Sequence, residues 1–131
     1  MARSKTILAA MTVLVVLAGL GNVLANEGEE HAATHEGATT VRGEVLDMAC
    51  YLGHEAKGPE HAGCAKRCVK GGQPMGLLAE DGTVYLLLAS HEDGSAYEKT
   101  KEHAGERVEI TGVVSSQAGF KGLEVDGVKP L

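Results

Sequence analysis

Polar and apolar residues alternate over 40–46, with Val41, Gly43 and Val45 on one side and Thr40, Arg42 and Glu44 on the other. A period of two belongs to a strand with one face in a core and one in water, so this segment is expected to be strand one. The same period returns over 107–115, where Val108, Ile110, Gly112 and Val114 oppose Glu109, Thr111, Val113 and Ser115. Two apolar runs, 75–80 and 83–89, are joined by Asp81-Gly82, residues that tolerate the positive φ of a tight hairpin. A last strand is expected over 123–128, after a turn at Gly119.

Two segments break the alternation. Pro59 opens 60–70, which carries Lys66, Arg67 and Lys70 near its end and Gly71-Gly72 beyond it. Proline at the start, cations in the last turn and glycine after it describe a helix. Ser95 and Glu98 have capping-box spacing for a second helix that runs to Ala104, with Gly105 as its left-handed stop. The resulting fold class is mainly β: a small five-stranded OB-like Greek-key barrel. A Cys-bearing helical insert at 47–72 follows strand one, and a short helix lies between strands three and four.

The N-terminus has a different character. Arg3 and Lys5 precede an apolar run over 7–20, shorter than the roughly 20 residues of a spanning helix, and Val23-Leu24-Ala25 offers a cleavage site. Residues 1–25 are therefore expected to be a signal peptide, leaving no membrane span after cleavage and a periplasmic or secreted product. Residues 26–39 are acidic and aperiodic, and are expected to be a flexible leader to a single domain over 40–131.

Charge and composition narrow the partners. The chain has 12 Lys and Arg against 18 Asp and Glu, a net charge of −6, and only three Tyr and one Phe. An acidic surface without aromatic stacking groups excludes nucleic acid as a partner class and suits cations. Ser/His/Asp order, a glycine-rich phosphate loop and paired carboxylates are absent, so a hydrolase is not supported and an enzyme is not the favoured class.

The unusual chemistry is concentrated in the insert. Cys50, Cys64 and Cys68 are the three cysteines, and His54 and His61 lie among them, with Met48 close by. On a helix His61, Cys64 and Cys68 share one stripe, and Cys50 enters a loop that must fold back towards it. Thiolate and imidazole donors select soft or borderline ions such as copper or zinc. Paired C-x-x-C knuckles and a C-x-x-C-H haem motif are both lacking.

Two alternatives stand beside metal binding. Export leads to an oxidising compartment, where Cys50 would pair with Cys64 or Cys68 and leave one thiol over. A Cys64–Cys68 bridge is less suited, because the ~6 Å between such Cα atoms is near the limit of disulfide geometry. The chain would then be a disulfide-stapled binding module for a ligand or another exported protein. In a thiol-disulfide redox protein, Cys64 or Cys68 would attack and Cys50 would resolve, with Lys66, Arg67 and Lys70 favouring the thiolate.

The runs Gly43-Glu44-Val45-Leu46-Asp47, Cys50-Tyr51, His61, Cys64-Ala65, Cys68 and Gly72-Gln73-Pro74-Met75-Gly76-Leu77 resemble a group of small exported bacterial proteins of largely unassigned function. Asp81-Gly82-Thr83-Val84-Tyr85-Leu86 and Val108-Glu109-Ile110-Thr111-Gly112 fit the same pattern. The resemblance implies an OB-like domain with a three-cysteine insert and carries no activity with it. Residues and resemblance together lead to an expected extracytoplasmic carrier or sensor of copper or zinc. Its ligands would be Cys50, Cys64 and Cys68, with His61 or His54 completing the shell.

Overall fold

A computed structural model describes residues 34–131. The expected signal peptide and most of the expected leader lie outside the described residues. The order is β1 (Thr34–Asp47), α1 (Met48–His54), α2 (Ala62–Lys70), β2 (Met75–Ala79), β3 (Val84–Ala89), α3 (Ser95–Thr100) with a 3-10 turn Lys101–His103, β4 (Arg107–Gln117) and β5 (Phe120–Pro130).

The strands close into a barrel in the order β1-β2-β3-β5-β4, which is compatible with the expected OB-like class. β1 serves two neighbours: it pairs with β4 from Thr34↔Ser116 to Glu44↔Arg107, and with β2 from Gly43↔Ala79 to Asp47↔Met75. The parallel pairing of β3 with β5, Leu86↔Gly122 to Ala89↔Val125, completes the circuit.

The alternation read from the sequence marks the inner face. Val45, Leu77, Leu87, Val108, Ile110, Val114, Leu123 and Val125 fill the barrel, joined by Met75 and by Ala65 and Val69 from α2. At the end of β1 the alternation stops: Val45, Leu46 and Asp47 are all buried, at the place where α1 and α2 pack against the strand.

Several boundaries differ from expectation, each for a local reason. β1 begins at Thr34, inside the segment read as leader, because β4 supplies ladder partners for residues without apolar periodicity. The β2–β3 hairpin takes its positive φ at Gly82 alone, while Asp81 Oδ1 accepts the Thr83 amide at 2.8 Å. The expected capping box at α3 is not formed: Asp93 Oδ1 accepts the Ser95 amide at 2.9 Å, and Glu98 pairs with Lys101 at 2.7 Å instead. The helix expected to run to Ala104 ends at Thr100 and continues only as the 3-10 turn to His103; Gly105 has a positive φ of 79°, but its amide donates to the Val45 carbonyl at 2.7 Å instead of closing the helix. Among the described residues no helix is long and apolar enough to cross a membrane.

Candidate metal centre

The site begins where β1 ends. Asp47 caps α1, its Oδ1 accepting the amides of Ala49 at 3.0 Å and Cys50 at 3.5 Å. That cap turns the chain sharply out of the sheet and into a helix, so Cys50 stands in the first turns of α1 rather than in the loop expected there. α1 is capped at its C-terminus by Glu55, which adopts a left-handed φ of 54°. The Gly58 amide then donates to Glu44 Oε1 at 2.5 Å and ties the connecting loop back to β1.

α2 brings the second half of the site. His61 is its N-cap residue, and Cys64 and Cys68 follow one turn apart, the stripe that their spacing implies. The neighbouring stripe, Ala65 and Val69, is fully buried in the barrel core and fixes how the helix sits. On a further face Lys66 pairs with Glu106 at 2.5 Å and Lys70 with Glu102 at 2.9 Å. Two of the cations considered as thiolate stabilisers are thus engaged with carboxylates beside the 3-10 turn.

Folding brings five candidate donors into two overlapping groups. The sulfurs of Cys50, Cys64 and Cys68 lie within 4.8 Å of one another, and so do ligand atoms of Asp47, Cys50 and His61. Cys50 belongs to both. No disulfide joins the cysteines. His54, exposed at the end of α1, is in neither group. Met48 packs its sulfur against Gly76 of β2.

Sequence reasoning placed no role on Asp47. A carboxylate at a strand end reads as a surface residue, yet Asp47 is 1% exposed. The available signal was its position three residues before Cys50, where an N-cap aspartate places its carboxylate beside the first turn.

Electrostatics within the cluster have a clear direction. Burial pushes the Asp47 carboxyl up, but the facing Cys50 and Cys68 thiols and the Ala49 and Cys50 amides outweigh it and hold its pKa below the usual value. The carboxylate in turn pushes Cys50 up to about 12, chiefly as an acceptor for its proton and then through burial and charge repulsion. Cys68 is raised for the same leading reason. These thiol contacts are loose: Asp47 Oδ2 has no partner that meets hydrogen-bond geometry, and neither has the buried His61 Nε2.

Such a cluster can hold an ion once its thiols lose their protons. Tetrahedral bonds of ~2.0–2.3 Å to nitrogen, oxygen and sulfur set ligand atoms about 3.3–3.8 Å apart. Donors within 4.8 Å of each other lie at most about 1.5 Å from that spacing. No protein-family model, curated protein or solved structure matches the chain.

Proposed function

We propose that this chain is an exported, OB-type barrel protein that binds a soft or borderline metal ion, Cu(I) or Zn(II), as a carrier or sensor outside the cytoplasm. Cys50, Cys64 and Cys68 supply the thiolates. One observation carries the reading: three cysteines from two different helices place their sulfurs within 4.8 Å of one another without forming a disulfide.

Sulfur-rich donor sets select soft ions because thiolate donates more charge than hard oxygen ligands do. In the redox alternative Cys68 is poorly suited as attacker, since a nucleophilic cysteine needs a depressed pKa and Cys68 is raised. The N-terminal sequence over 1–25 and the resemblance to small exported proteins support the extracytoplasmic address and the OB-type assignment.

The test is elemental analysis with intact mass on chain recovered from the periplasm without a metal-binding tag. Copper or zinc at one equivalent or more, lost when Cys50, Cys64 and Cys68 are all changed to serine, is the expected result. Absence of metal together with a mass two hydrogens light would overturn the reading in favour of a disulfide module.

A further inference from the structure

Asp47 is 1% exposed, and its Oδ2 meets only the Cys50 and Cys68 thiols, too loosely for hydrogen-bond geometry. The buried His61 Nε2 is likewise without a hydrogen-bond partner. Buried polar atoms in folded proteins are nearly always satisfied, because an unpaired one forfeits its hydration for nothing. Two such atoms belong to residues whose ligand atoms lie within 4.8 Å of each other and of the Cys50 sulfur, a set of donors suited to a cation.

We propose that Asp47, Cys50 and His61 form a second ion position, overlapping the three-sulfur position at Cys50 and suited to a borderline divalent cation such as Zn(II). The inference rests on the reading that this cluster takes up metal, but it makes a separate demand on Asp47 and His61.

The donor chemistry separates the two positions. Cys50, Cys64 and Cys68 offer sulfur alone, which favours Cu(I). One carboxylate oxygen, one imidazole nitrogen and one sulfur form a mixed set, of the kind that holds Zn(II) and Co(II). The ligand charges agree with this division: carboxylate and thiolate together carry two negative charges, matching a divalent ion, and the imidazole is neutral. Loading the position displaces the Cys50 proton to solvent, so each ion bound there releases one proton from that thiol. Cys50 is the corner through which the two positions communicate, because both need its sulfur.

Co(II) is the probe for the second position, since its absorption spectrum reports coordination number and the thiolate-to-metal charge-transfer band counts sulfurs. Cu(I), added under anaerobic conditions, probes the first. The Cys64→Ser/Cys68→Ser double variant keeps Asp47, Cys50 and His61; it is expected to bind one Co(II) with the charge-transfer intensity of a single thiolate and to lose Cu(I) binding. In the Cys64→Ser/Cys68→Ser background, Asp47→Asn and His61→Gln are each expected to weaken Co(II) by about tenfold or more, and in the otherwise unchanged chain to keep Cu(I) stoichiometry. Asparagine retains the helix cap, and His61→Gln leaves that cap untouched, so a folding defect in one is exposed by the other. Unchanged Co(II) affinity in both variants, with Cu(I) still bound, overturns the second position alone. Failure of the unmodified chain to bind Cu(I), with Co(II) held by the double variant, overturns the three-sulfur reading instead.

Discussion

At Asp47 one carboxylate oxygen accepts the Ala49 amide at 3.0 Å while the other is buried and unpaired beside two thiols. The residue thus has a structural task and an electrostatic one, and substitution separates them. Asparagine is as good an N-cap as aspartate, whereas alanine costs ~1 kcal/mol. In metal-free protein, Asp47→Asn is therefore expected to keep the helix cap, to lose the stability that the carboxylate's depressed pKa contributes near neutral pH, to lower the thiol pKa values and to speed iodoacetamide alkylation of Cys50 at about pH 8. The pH dependence has a definite sign. The Cys50 pKa rises from 9.0 to about 12 on folding, so the thiol's contribution to stability is complete below pH 9 and is lost as pH climbs towards 12. Urea denaturation of the metal-free chain across that interval is expected to show the loss, and Asp47→Asn to show less of it. Equal slopes in both proteins would mean that Asp47 does not control the thiol.

At the scale of elements, the ligands are only as well placed as the two helices that carry them. Gly105, with φ of 79°, passes so close to the start of α2 that a Cβ there would collide with Ala62. Gly105→Ala adds that collision to the cost of a left-handed φ, a loss of about 1–3 kcal/mol, and moves His61 and Cys64 with the helix. Metal affinity is expected to fall along with urea stability; an unaltered affinity would show that α2 does not need this seat. Gly76 does the same for α1, where a Cβ would strike the Met48 sulfur. The sequence made some of these elements legible and hid others. β4 was clear because Val108, Ile110 and Val114 are buried at every second position, with Gly112 between them. α2 was clear because proline, cations and glycine mark its ends. α1 was hidden because its seven residues include no buried one, so no apolar period betrays it. The capping box failed because Asp93, two residues before Ser95, competes for the same amide. The donor cluster was legible as far as the three cysteines and His61, but Asp47 needed the unseen helix to acquire its position.

For the molecule as a whole, the question is whether the metal folds the chain or only tightens it. Small metallo-domains that lack a core are unfolded without their ion. Here the barrel has a core of its own: Leu77, Ile110, Leu123, Val125 and Val108 are fully buried, and α2 enters it through Ala65 and Val69 rather than through its cysteines. The donors are thus brought together by apolar burial before any ion arrives. Metal-free chain is expected to keep its β circular-dichroism spectrum and a cooperative thermal transition. Free metal at a hundred times Kd then adds about 2.7 kcal/mol, raising Tm by roughly 10–20 °C for a domain of this size. Leu77→Ala, which removes core volume but no donor atom, is expected to cost ~2–5 kcal/mol with and without metal alike. If chelation instead abolished the β spectrum, the three sulfurs would be a folding nucleus, and the barrel core would be insufficient by itself.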